Sequence, residues 1–152
     1  MLVGDGPQRS DVEAAIERLG LREHVRTLGH RTDVASLMQL ADLYVHYATA
    51  ENCPTVLLEA ARAGLAIAAV PVGGIPEILE ALGEAATLPP DDHDSSIARL
   101  APFLTSSDLR AAAGRLAREV FNAQFDRERM AGAYADLICR LSATAAPAEG
   151  AS

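Results

Sequence analysis

Short apolar runs alternate with amphipathic stretches from Met1 to Leu88, and each run ends in a turn former. Met1-Leu2-Val3 stops at Gly4-Asp5-Gly6-Pro7, and His24–Leu28 stops at Gly29. Leu43–Tyr47 enters the polar loop Thr49–Pro54, Ala66–Val70 precedes Gly73-Gly74, and Ala86–Leu88 meets Pro89-Pro90. Runs this short and so bounded are strands. Helical segments between consecutive strands dictate a parallel sheet with right-handed crossovers. The fold class is therefore α/β, a Rossmann-like parallel sheet with flanking helices.

The helical segments carry their own start and stop signals. Ser10 with Glu13 three residues on is a capping-box pattern, followed by Val12, Ile16 and Leu19 at helical spacing and closed by Gly20. Asp33 is placed to cap a helix carrying Val34, Leu37 and Leu40. Thr55–Ala63 ends at Gly64, and Pro76–Leu82 begins with proline, which suits a first turn. From Ser95 onward the pattern is helical throughout, over Ser95–Leu104, Asp108–Asn122 and Arg127–Leu141. Residues 1–142 are expected to form one domain, with 143–152 as a small, polar, disordered tail. Because the sheet opens on only three apolar residues, the first βα unit is expected to be missing.

Composition narrows the function. At 152 residues the chain needs neither disulfide nor metal to hold a core. Its net charge is −8 and all 13 basic residues are arginine, so nucleic acid is excluded as a partner. An Ala-rich, Lys-free composition suggests a GC-rich, bacterial genome. No apolar run is long enough to span a bilayer and no secretory signal is present, which reads as a cytoplasmic domain. His24, His30, His46 and His93 lack metal-binding spacing, and neither a Walker A loop nor a G-x-S-x-G elbow occurs.

Ligands of such sheets bind where the strand carboxyl ends and their loops gather. The loops are Gly4–Pro7, Gly29–Arg31, Ala48–Pro54 and Val72–Pro76. The third is the richest, since Glu51 and Asn52-Cys53-Pro54 lead into a helix starting at Thr55 and Val56 and carrying Glu59 one turn on. Backbone N–H groups at that helix start attract phosphate oxygens. Glu59 is suited to accept ribose hydroxyls, and Glu51 to accept a sugar hydroxyl or to face positive charge developing at an anomeric carbon. Read alone, without its flanking residues, Glu59 is better taken as a solvated helix residue, and Glu51 can be an ordinary loop carboxylate.

Glu51-x7-Glu59, set in ENCPTVLLEAARAG and followed by VGGIPE, resembles the donor motif of the retaining family 4, or group 1, glycosyltransferases. Gly4-Asp5-Gly6-Pro7, VRTLGH, Ala41-Asp42 and FDRERMAGAYADL follow in that family's order, so the resemblance extends to about Leu141. It implies the C-terminal, donor-binding half of a GT-B fold, with a nucleoside-diphosphate sugar as donor substrate and no metal or other cofactor. Glu51 would contact the transferred sugar, and Asn52, Cys53, Pro54, Thr55 and Val56 would hold sugar and diphosphate through backbone. Glu59 would bind the ribose, His30 and Arg31 would border the base, and Gly4 and Gly6 would shape the strand-end turn. Gly73-Gly74 is similar to the family's turn that lets backbone pass near the cleft. Asn52 stands where the family usually has Gly, and Ala48 where Ser is common. The resemblance puts a basic pair and the acceptor-binding N-terminal domain upstream of Met1. It implies a chain inactive alone, cytoplasmic, with peripheral membrane attachment open through the absent domain.

Other readings compete. The chain could be a stand-alone, non-catalytic nucleotide-sugar module serving a separate partner chain. A receiver-like domain is disfavoured, because Asp5 and Asp42 are badly placed for an acidic pocket and no lysine exists to complete it. Asp92-His93-Asp94 imitates a D-x-D metal site but precedes a helix, where Asp is a cap. Cys53 is expected to be a buried or half-buried spacer and Cys139 a core residue. Phe121, Phe125, Tyr134 and Leu137 at helical spacing read as core or domain-contact residues.

Overall fold

The computed structural model describes residues 1–83 and 86–144, and the chain forms two compact units, Met1–Leu40 and Ala41 onward. In the first unit the amino-terminal run lies parallel to Arg26–Gly29. Leu2 N–H donates to the Arg26 carbonyl at 2.8 Å, Leu28 N–H to Leu2 at 2.8 Å, and Gly4 N–H to Gly29 at 2.9 Å. The pairing reduces to one bridge, Leu2 with Thr27, rather than a strand over His24–Leu28. Residues 22–24 form a turn instead, with His24 N–H donating to the Leu21 carbonyl.

Helix α1 runs over Arg9–Arg18 and starts from Gln8, with no side-chain cap. The expected capping box does not form, because the N-cap falls two residues earlier, on Gln8, and takes Ser10 inside the helix. Glu13 is occupied by Arg9, whose Nε lies 2.9 Å from it while its Nη1 reaches Asp5 at 3.0 Å. Helix α2, Val34–Gln39, starts after Asp33, whose carboxylate also makes no cap. Arg31 grips it at 2.8 and 2.6 Å instead.

In the second unit β1 (Leu43–His46) pairs in parallel with β2 (Ala66–Ala69), register Leu43 to Ala66. Helix α3, Thr55–Ala63, makes the crossover between them and ends on left-handed Gly64. Every residue of β2 is buried, as the continuous apolar run required. Helix α4 covers Ile75–Leu82, with Pro76 in its first turn. The expected strand at Ala86–Leu88 is a single bridge from Ala69 to Thr87, although Leu88 is fully buried.

Helices α5 (His93–Thr105), α6 (Ser107–Val120) and α7 (Arg127–Thr144) complete the unit, with a π-helical turn over Phe121–Phe125 between the last two. The core gathers Leu57, Ala60, Val70, Ile75, Ile78, Leu79, Phe103 and Ala117 around β2. Close approach of α6 depends on Gly114, where a Cβ would stand 2.1 Å from the Gly64 carbonyl oxygen. One turn on, Arg118 donates to the Arg62 and Ala63 carbonyls at 3.2 and 2.6 Å, satisfying the end of α3.

Helix α7 differs from the others, since every side chain from Arg127 to Ala143 is exposed. Cys139 is therefore exposed rather than core. The aromatic stripe splits, with Phe121 and Phe125 half-buried and Tyr134 and Leu137 exposed. Helix α7 also takes in Ala143 and Thr144, the first two residues of the expected tail, and 145–152 lie outside the described residues.

Candidate functional site

The loop between β1 and α3 is fixed from below by the turn that follows β2. Gly74 N–H donates to the Asn52 carbonyl at 2.8 Å. A Cβ on Gly73 would lie 1.7 Å from the Glu51 carbonyl oxygen, and one on Gly74 would lie 2.4 Å from that of Asn52. Gly73 also has φ +59°, where a side chain is strained. The double glycine therefore does serve close backbone passage, and what passes is the Glu51–Asn52 segment itself.

The Glu51 side chain is held from β1. Tyr44 and His46 alternate along the strand and so share one face. The Tyr44 hydroxyl lies 3.1 Å from His46 Nδ1, and His46 Nε2 lies 3.2 Å from Glu51 Oε1. All three groups are partly buried. Burial pushes the Tyr44 phenol up to about 12, with further contributions from the charges of Glu51 and then Glu59. Both carboxylates of the E-x7-E pair thus act on one phenol. Sequence reasoning missed Tyr44 and His46 as site residues; the signal for them was their period-two spacing just ahead of the loop.

Helix α3 opens at this loop. Pro54 is its N-cap residue, buried, with φ −75° and ψ 102° and no side chain capping the helix. Thr55 is exposed, Val56 half-buried, and Glu59 is exposed on the face opposite Leu57, Ala60 and Ala61. Asn52 is exposed and Cys53 is exposed too, contrary to the spacer role expected for it. In this loop the inward positions go to Glu51 and Pro54, which leaves the two residues between them facing out.

Four sequence-predicted residues belong to the first unit. Gly4 has φ +136°, and Gly6 N–H donates to Asp5 Oδ1 at 2.9 Å, so this is a glycine-dependent turn. His30 is exposed after the buried Gly29. The Arg31 guanidinium, forked onto Asp33, is raised by that carboxylate, and Asp33 is lowered in return, chiefly by the same hydrogen bonds.

Asp92 is the N-cap of α5. Its carboxylate accepts from Ser95 N–H at 2.9 Å and from Ser95 Oγ at 2.6 Å, which lowers its pKa. His93 turns toward the Tyr47 hydroxyl at 3.3 Å. Among the described residues no three His, Cys, Asp or Glu side chains are grouped to hold a metal, and no helix is long and apolar enough to cross a membrane.

Residues 1–120 match the family model described as Glycosyl transferases group 1. The chain belongs to this family. Over 135 residues it is 31% identical to the N-acetyl-alpha-D-glucosaminyl L-malate synthase of Bacillus anthracis, covering 88% of this chain and 35% of that protein. It is 36% identical over 113 residues to the lipopolysaccharide glucosyltransferase WaaG of Escherichia coli K12, covering 74% and 30%. The chain thus spans about a third of the length of these relatives. Among solved structures, Anabaena Alr3699/HepE in complex with UDP-glucose superposes with a TM-score of 0.81 at 26% identity, covering 91% of this chain and 40% of that one. WaaG superposes with a TM-score of 0.71 at 34% identity, covering 80% and 33%. The fold of this group 1 chain is the one found in GT-B glycosyltransferases, a small parallel sheet flanked by helices.

Proposed function

We propose that this chain is the donor-binding, C-terminal part of a retaining, family 4 glycosyltransferase that takes a sugar from a nucleoside-diphosphate sugar. The observation that carries the reading is the glycine-clamped loop of Glu51 and Asn52 at the mouth of the uncapped helix α3, with Glu59 one turn in. Glu51 faces the transferred sugar, the backbone from Asn52 to Val56 meets sugar and diphosphate, and Glu59 takes the ribose hydroxyls. Gly4 and Gly6 shape the first turn and His30 and Arg31 border the base. The HepE structures with UDP and UDP-glucose support this assignment of ligand class.

In the reaction the bond from the anomeric carbon to the phosphate oxygen breaks and the diphosphate departs with the electron pair. The acceptor oxygen bonds to the same face of that carbon, and its proton passes to the departing diphosphate. Backbone N–H groups and the dipole of α3 offset charge on the diphosphate, so no metal is required. In this reading the acceptor site lies outside these 152 residues, in the same polypeptide or on a partner chain, which also provides any peripheral membrane attachment of a cytoplasmic enzyme.

Calorimetric titration of the 152-residue chain with UDP, GDP and their hexose esters tests the reading. One nucleotide is expected to bind, unaffected by chelator, and Glu59→Ala should weaken it about tenfold, the worth of a charged hydrogen-bond acceptor. Sugar transfer by this chain alone should be absent. Binding indifferent to Glu59→Ala, or full-rate transfer by the chain alone, overturns the proposal.

A further inference from the structure

We propose that His46 is a positioning residue that fixes the Glu51 carboxylate for the sugar of the donor, and so governs the sugar-bearing ligand but not the bare nucleotide. This rests on the donor-binding reading above. His46 Nε2 lies 3.2 Å from Glu51 Oε1, and no hydrogen bond within the described chain engages Glu51 Oε2. The imidazole is fixed in turn. Tyr44 stacks on it with ring centroids 6.1 Å apart at 23°, and the Tyr44 hydroxyl meets Nδ1 at 3.1 Å.

A carboxylate oxygen only accepts, so the ring proton facing Glu51 is on His46 Nε2. With that proton on Nε2, Nδ1 is the acceptor for the Tyr44 hydroxyl. Glu51 is then held at two points. Its carbonyl is clamped against Gly73, and one carboxylate oxygen is tied to β1. The side chain is ordered before a ligand arrives, and the second oxygen is presented to a hydroxyl without the entropic cost of ordering a loop carboxylate. Glu59 has no such support and sits on a helix, so the nucleoside half of the ligand does not depend on His46.

The test compares two affinities in the full 152-residue chain, UDP-glucose against UDP, with GDP-mannose against GDP as the second pair. His46→Phe should weaken the nucleotide sugar about tenfold, as expected for loss of a hydrogen bond that orients a charged acceptor, while the nucleotide changes less than about twofold. Retained nucleotide binding also reports that the variant is folded. His46→Gln, whose amide N–H reaches toward the same carboxylate, should restore most of the difference. In a nitrogen–proton correlation spectrum of the imidazoles, the His46 proton should reside on Nε2 in the wild type and redistribute in Tyr44→Phe. An equal loss for both ligands, an unchanged ratio, or a proton on Nδ1 overturns the positioning role while leaving donor binding intact. If the wild type binds neither pair at millimolar concentration, donor binding and the positioning role fall together.

Discussion

Gly74→Ala is the sharpest test of how the candidate loop is held, because ordinary backbone strain does not enter it. Gly74 has φ −86°, a value any residue adopts, so the substitution acts only through contact and hydrogen bonding. The new Cβ would stand 2.4 Å from the Asn52 carbonyl oxygen, a distance that must open to at least 3.0 Å. That carbonyl also accepts the Gly74 N–H at 2.8 Å, so the retreat stretches the bond tying the loop down. Overpacking of this kind costs roughly 1–3 kcal/mol, and the weakened hydrogen bond about 1 kcal/mol. The expected loss is therefore about 3 kcal/mol, read as a lower urea midpoint at unchanged slope. Donor affinity should fall with it, since Glu51 and Asn52 move. Gly132→Ala on α7, where a Cβ meets nothing within 4 Å, is the control and should gain up to about 1 kcal/mol from helix propensity. A loss below about 0.5 kcal/mol in Gly74→Ala would refute the clamp, since surface substitutions alone reach that size.

Further outcomes follow from the same contacts. Gly114→Ala should destabilise by roughly 1–3 kcal/mol in urea titration, reversing the usual gain for a mid-helix glycine, because its Cβ would press on the Gly64 carbonyl at 2.1 Å. Arg118→Met keeps the aliphatic stem but removes the donors to the carbonyls ending α3, and thermal or urea unfolding should show a loss of about 1 kcal/mol. The Tyr44 phenol is raised from 10.0 to about 12, so its protonated form favours the fold fully below pH 10, and that contribution is lost as pH climbs to 12. Wild type should thus lose urea stability relative to Tyr44→Phe between pH 10 and 12, and parallel curves for the two proteins would count against a buried phenol.

Elements whose limits are written in local chemistry were legible. Thr55–Ala63 ends where Gly64 adopts φ +75°, and the Ala66–Val70 run is buried throughout, with α3 and α6 packed against β2. Competition between local interactions was not legible. Ser10 and Glu13 have the spacing of a capping box, yet Arg9 offers Glu13 a charged partner and the helix starts on Gln8. Asp33 loses its cap to Arg31 in the same way. Periodicity also shows which residues of α7 share a face without showing whether anything covers that face, which is why Cys139, expected in the core, is exposed.

The site divides along a similar line. Residue spacing identifies Glu51 and Glu59 as a pair on a loop and the helix after it, since both lie on one continuous stretch of chain. It does not reveal that the loop folds back so that Glu51 returns to His46, five residues earlier on β1. Nor does it reveal that a glycine more than twenty positions later supports the same residue from below. The first restraint comes from β1 itself and the second from the turn after β2, so both act on Glu51 together only when the strands pair with His46 opposite Ala69. A one-residue slip would turn Tyr44 and His46 to the other face of the sheet and carry the Gly73-Gly74 turn away from the loop. Gly114 seats α6 against the Gly64 carbonyl and the Ala66 backbone, at the start of β2. Strand pairing in the core of the sheet thus brings together, at its carboxyl edge, the side-chain and backbone contacts that hold Glu51.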